Sequence, residues 1–171
     1  YEKFIKNYPT IHLLAKAAPQ KVFKLWEGLG YYTRCKNLLQ TASIISKDYN
    51  GNFPREYDEI KKLKGIGPYT AAAIASFAFN APYAVVDGNV QRVLARYFGI
   101  TTPIDSNDGK KLFNELAQSL LPKEQAGIYN QAIMDFGAVI CKPRQPLCAD
   151  CVHRKECQAF HFNKQNELPV K

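Results

Sequence analysis

No stretch of this sequence approaches the roughly 20 consecutive apolar residues that a membrane-spanning helix needs. The longest apolar run, residues 71–79, is interrupted by Ser76, so a spanning helix is excluded. Acidic residues are also in short supply: 15 Asp and Glu stand against 23 Lys and Arg, a net charge of +8. That balance suits a polyanion, because each neutralised phosphate releases condensed counterions, although charge alone fits a solvated basic surface equally well. Only five cysteines occur, and four lie within residues 141–157, too local for a disulfide framework that staples distant loops. The chain opens on Tyr1, Glu2 and Lys3 without a basic n-region or an apolar h-region. No secretory signal is read, a reduced intracellular protein is expected, and Tyr1 need not be a native start. Apolar content is not scarce: 46% hydrophobic against 22% charged residues marks a globular chain, long enough for one sizeable core or two small ones.

Strand signals are nearly absent. The only β-rich run is residues 83–86, which closes on Asp87 and Gly88, whereas helical spacing recurs throughout. Pro19 followed by Val22, Phe23, Leu25 and Trp26 predicts a short helix opened by proline. Leu38, Leu39, Ala42 and Ile45 predict a longer one ending near residues 49–51. Further helices are predicted over residues 56–63, 68–79, 89–98, 108–120 and 125–140, with Val90, Val93, Leu94 and Tyr97 sharing one face. Connections rich in Gly and Pro fall at 28–30, 50–54, 65–68 and 101–105. The expected fold class is all-α, without internal repeats.

Cys141, Cys148, Cys151 and Cys157 are spaced Cys-x6-Cys-x2-Cys-x5-Cys. A zinc site usually draws on two separated knuckles, often two Cys-x2-Cys pairs, and only one such pair is present. Four thiolates from one compact loop suit a 4Fe-4S cluster, whose irons each take one sulfur, so that cluster is the expected cofactor. Cys35, alone on a predicted helix, reads as a small core residue. Lys142, Arg144, His153, Arg154 and Lys155 interleave the loop; they either offset the cluster's negative charge or reach for phosphates.

Between two predicted helices lie residues 63–70, Leu-Lys-Gly-Ile-Gly-Pro-Tyr-Thr. Gly65 and Gly67 allow backbone conformations that a Cβ disfavours, and Pro68 opens a helix whose first amides can face an anion. Ile66 at the tip is expected to tuck inward and hold the helices together. With Lys61, Lys62 and Lys64 before it, the segment reads as a phosphate cradle, the alternative being a simple tight turn.

The hairpin, then Val86-Asp87-Gly88-Asn89-Val90, then the four cysteines resemble the helix-hairpin-helix DNA glycosylases, and within them the adenine DNA glycosylases of the MutY type. The resemblance covers essentially the whole chain. It implies a helical barrel lobe over residues 1–87 and an iron-sulfur cluster lobe over residues 88–171, with double-stranded DNA bound across the cleft by a monomer. Residues 26–32, Trp-Glu-Gly-Leu-Gly-Tyr-Tyr, with Arg34, Asn37 and Leu38 behind them, look like the family segment that enters the DNA stack beside the lesion. That makes Tyr31 the wedge and Leu29 its neighbour; core packing is the other reading for these side chains, and the favoured one for Tyr32. Gly65, Ile66, Gly67 and Thr70 would contact DNA.

In the family, an Asp at the position of Asp87 supports the positive charge that develops on the sugar as the base departs, and Asn89 would orient that carboxylate. The chemistry is general, since N-glycosidic cleavage passes through an oxocarbenium-like state that a nearby anion stabilises. Asp87 also reads as an ordinary helix N-cap. Tyr69 lines up with the Schiff-base lysine of the related endonuclease III type. A phenol cannot replace that amine, so β-lyase chemistry is expected to be absent. One departure concerns the family's general acid, a Glu in a helix preceding the part matched by residues 1–10. It is not among these 171 residues, and Glu2 stands at the wrong place to fill the role. The family's separate domain for recognising 8-oxoguanine is missing too. The expected activity is hydrolysis of the adenine N-glycosidic bond opposite 8-oxoguanine or guanine, inside the cell and at the nucleoid if the source is bacterial. A glycosylase acting on mismatched thymine and a non-catalytic DNA-binding module are the alternatives.

Overall fold

A computed structural model describes residues 1–171, and every regular element in it is helical. The chain forms two compact units, Tyr1–Ala71 and Ala72–Lys171. No helix is long and apolar enough to cross a membrane.

The first unit contains α1 (Glu2–Asn7), α2 (Ile11–Ala15), α3 (Pro19–Trp26), α4 (Tyr32–Asp48), α5 (Tyr57–Lys62) and the opening of α6 (Pro68–Phe79). Pro9 separates α1 from α2, and Thr10 caps α2 by accepting from the Leu13 amide at 3.3 Å. Neither helix is among those the sequence predicts. Pro19 occupies the first turn of α3, as its fixed φ favours. The unit is built around α4, which packs on α2 and α3 and buries Cys35, Thr41, Ala42 and Ile45. Leu14, Val22, Cys35 and Ala42 form the core, with Phe4, Trp26 and Leu38 packed against it. Cys35 is fully buried and burial raises its thiol pKa, as suits a core residue.

The second unit contains α7 (Gly88–Phe98), α8 (Asn107–Leu120), α9 (Ala126–Val139) and α10 (Gln158–His161), with single 3-10 turns at Lys123–Gln125 and Cys148–Asp150. Helix α7 is its centre, packed against α8, α9 and α10. Val90, Leu94, Ala95, Phe113 and Ala117 form the core, joined by Ile133 and Met134.

Residues 83–86 form no strand. Their polar groups are met by side chains instead. Asn130, 2% exposed, accepts from the Val85 amide at 3.1 Å and donates to Tyr83 O at 2.9 Å and Ser76 Oγ at 2.7 Å. Gln118 accepts from the Ala84 amide at 3.0 Å and donates to Pro82 O at 2.9 Å. These bonds fasten the segment to α8 and α9.

Candidate active site and nucleic-acid interface

The fastened segment delivers Asp87 to the start of α7. Its Oδ1 accepts from the amides of Asn89 and Val90, each at 2.8 Å, and its Oδ2 accepts from Asn89 Nδ2 at 3.1 Å. Asp87 is thus the N-cap of α7, and three donors fix the plane of its carboxylate. The cap reading and the catalytic reading therefore share one geometry. Asn89 is fixed in turn, because its Oδ1 accepts from Arg92 Nη2 at 2.8 Å.

Arg92 and Arg96, one turn apart on α7, carry this network to the cysteine loop. Arg92 donates from Nε to Cys141 O at 2.8 Å and from Nη2 to Gly137 O at 2.7 Å. An unbroken chain of hydrogen bonds thus runs from the Asp87 carboxylate through Asn89 and Arg92 to the first cysteine. Burial lowers the Arg92 pKa, Cys141 and Asp87 opposing and Arg96 reinforcing. Arg96, 3% exposed, donates to Leu168 O at 3.0 Å, Lys142 O at 2.7 Å and Pro143 O at 3.1 Å, and its Nη1 lies 3.5 Å from Cys141 Sγ. Buried guanidinium groups are tolerated where their donors are met in this way.

Cys141, Cys148, Cys151 and Cys157 are all half-buried and unoxidised. Burial raises the Cys148 thiol most, and Cys141, Cys151 and Cys157 raise it further, with Arg96 opposing. Cys151 is likewise raised first by burial, then by Cys141 and Cys157. The four sulfurs are therefore close enough to act on one another. No group of three or more His, Cys, Asp or Glu is arranged to hold a single metal ion, whereas a 4Fe-4S cluster takes each thiolate on a different iron. The donor set, four soft thiols lined by Arg96, fits an anionic iron-sulfur cluster in kind. His153 is wedged edge-on between Tyr97 at 5.6 Å and Phe136 at 5.4 Å, tying the loop to α7 and α9.

In the first unit, residues 27–31 form a protruding turn. Trp26 Nε1 donates to Gly30 O at 2.9 Å, which closes the turn over the core. Leu29 and Tyr31 are left 67% and 76% exposed. Tyr31 adopts φ 47°, ψ 47° with no side-chain cap bond. A left-handed conformation in a residue with a Cβ costs of order 1–3 kcal/mol and clusters at functional sites. Core packing is excluded for Leu29 and Tyr31 by their exposure, whereas Tyr32 is 49% exposed and its ring meets Phe23 at 6.4 Å.

The hairpin at 63–70 is braced by α4. Thr41 Oγ1 donates to Lys64 O at 3.1 Å. Gly65 has φ 78°, and a Cβ built on it would lie 2.2 Å from Asn37 Nδ2. Gly67 is different: its φ is not positive and a Cβ there would meet nothing within 4 Å. Neither conformation nor packing within the chain therefore calls for glycine at 67. Leu63 is the buried anchor at 3% exposure, while Ile66 is only half-buried. Gly67 O accepts from the Ala71 amide at 2.9 Å, the first bond of α6, and the amides before it have no intrahelical acceptor. Thr70 is exposed and Tyr69 is 47% exposed; both belong to this unit, as Asp87 and Asn89 belong to the other.

Residues 1–123 match the family described as HhH-GPD superfamily base excision DNA repair protein. The chain belongs to that superfamily. It is 43% identical over its whole length to an adenine DNA glycosylase of Buchnera aphidicola from Acyrthosiphon pisum, covering 49% of that protein. It is 38% identical to the human adenine DNA glycosylase, matching with 98% of its own length and 31% of that protein. The chain thus spans about half the length, or less, of the curated relatives it matches. Among solved structures, a thermostable thymine-DNA glycosylase superposes with a TM-score of 0.86 at 34% identity, over 95% of this chain and 75% of that one. Endonuclease III in a non-covalent DNA complex superposes at 0.79 and 26% identity, over 95% and 74%.

The HhH-GPD chain also uses residues that its sequence did not advertise. Arg92, Arg96, Gln118 and Asn130 hold the Asp87 segment and the cysteine loop, yet none stands in a motif. At 100° per residue Arg92 and Arg96 fall opposite the apolar face of Val90, Val93, Leu94 and Tyr97, so the sequence reads them as solvent-facing and only the structure shows them buried.

Proposed function

We propose that this chain is the catalytic region of an adenine DNA glycosylase that hydrolyses the N-glycosidic bond of adenine mispaired with 8-oxoguanine or guanine in double-stranded DNA. The observation that carries the reading is the Asp87 carboxylate, held by three N–H donors at the start of α7, in a chain 43% identical along its whole length to an adenine DNA glycosylase. An orientation fixed before substrate arrives is what electrostatic stabilisation of a sugar cation requires, since the dipoles need not reorganise as charge develops. Asp87 supports the cation, Asn89 holds Asp87, and water is the final nucleophile. The adenine must first leave the duplex; Tyr31 enters the vacated stack with Leu29 beside it, while Gly65, Ile66, Gly67 and Thr70 hold the backbone phosphates. Tyr69 supplies no amine, so the sugar is left intact as an abasic site.

Cys141, Cys148, Cys151 and Cys157 would hold a 4Fe-4S cluster, whose contribution is to tie the loop into one body. The protein would work as a monomer inside the cell, at the nucleoid in a bacterium. The likeness to a thymine-DNA glycosylase favours a second reading, excision of thymine from a G·T mispair. Single-turnover assays of the full-length protein on matched duplexes decide between them. Excision of adenine opposite 8-oxoguanine, lost in Asp87→Asn, is expected; excision of thymine alone would transfer the assignment, and excision of neither would leave a DNA-binding module.

A further inference from the structure

We propose that Arg34 is a positioning residue that sets the Tyr31 ring for entry into the DNA stack. The inference rests on the reading of Tyr31 as the wedge, and it comes from a problem that the exposed ring poses. At 76% exposure no core packing fixes the ring, and no side-chain bond caps the backbone that bears it. An unrestrained ring would lose rotamer freedom each time it entered DNA, which weakens binding unless that freedom is already spent.

Arg34 removes the freedom beforehand. Its amide donates to Tyr31 O at 2.8 Å, closing the first turn of α4 and fixing the two residues at i and i+3, where side chains are neighbours. Its guanidinium carbon lies 5.0 Å from the Tyr31 ring centroid, within cation-π range. Arg34 is itself exposed, so its plane is placed by the ring and not by burial. A planar guanidinium can lie along an aromatic face in a way that a compact ammonium cannot. The positive charge also approaches DNA with the ring, which raises the rival that Arg34 simply contacts a phosphate.

A double-mutant cycle in the full-length protein separates the two. The readout is the fluorescence change of 2-aminopurine placed beside the mispair, which reports local unstacking, together with duplex affinity. Arg34→Ala is expected to weaken the unstacked complex about two- to fivefold, the range for an exposed cation-π pair, and to add nothing in a Tyr31→Ala background. Arg34→Lys should retain the salt dependence of binding while losing part of the fluorescence change. Equal losses from Arg34→Ala with and without Tyr31 would overturn the proposal and make Arg34 a phosphate contact. A Tyr31→Ala protein that unstacks DNA normally would remove the wedge reading itself, and this proposal with it.

Discussion

Asn130 is the side chain on which the placement of Asp87 most depends. It touches neither Asp87 nor the cysteine loop, yet it meets the Val85 amide, Tyr83 O and Ser76 Oγ from a position 2% exposed. Replacing it with leucine of similar size leaves three buried polar groups without partners, and each such loss costs about 1–3 kcal/mol. Asn130→Leu is therefore expected to destabilise the protein by about 3 kcal/mol or more in urea unfolding, less where the segment relaxes to find new partners. Unchanged stability would mean that residues 83–86 find other partners. The sequence shows Asp87 and Asn89 because they stand in a motif, but hides Asn130, since one polar residue in a helix ordinarily reads as surface.

At the scale of elements, the helices longer than eight residues were legible from apolar spacing, Pro at their starts and Gly or Asn at their ends. Residues 83–86 illustrate a limit: the composition is that of a strand, and only tertiary contacts reveal that side-chain amides replace the ladder. The hairpin carries a sharper lesson, because its two glycines look alike in sequence and differ in space. Gly65 needs its left-handed backbone and faces Asn37, so Gly65→Ala should cost about 1–2 kcal/mol for the αL conformation, with more where Asn37 cannot move aside. Gly67 has neither constraint. Gly67→Ala should therefore leave the urea midpoint unchanged and weaken duplex binding, measured by fluorescence anisotropy, because an added methyl obstructs only an approaching backbone. Loss of stability without loss of binding at position 67 would remove the phosphate cradle.

For the whole molecule, two properties follow from how the second unit is joined. The cysteine loop is held by Arg96 and His153, and a cluster bound by all four thiolates would add folding energy to those contacts. Purified protein is expected to be brown, with iron and acid-labile sulfide; colourless protein carrying stoichiometric zinc would overturn the assignment. The pH dependence has a definite sign. With no metal bound, burial raises the Cys148 and Cys151 thiols, so both are protonated at neutral pH and must release protons to bind iron. Reconstitution, followed as iron per protein, should become more complete as pH rises into the mildly alkaline range and fail first on the acid side.

Catalysis is the property of the whole molecule that these residues by themselves should supply least. Leaving-group protonation by a placed acid typically contributes about 10²- to 10⁴-fold. Asp87 cannot both supply that proton and remain the anion that the sugar cation needs, and its two oxygens already accept three hydrogen bonds. Glu2 opens α1 in the first unit, on a helix that buries no residue. A polypeptide of these 171 residues is therefore expected to excise adenine opposite 8-oxoguanine about 10²- to 10⁴-fold more slowly than an adenine glycosylase that carries the acid. Duplex binding should persist, with log affinity falling linearly against log salt concentration. Single-turnover excision under saturating protein isolates the chemical step from binding. A rate matching that of an acid-bearing glycosylase would show that one of these carboxylates already occupies the acid's place.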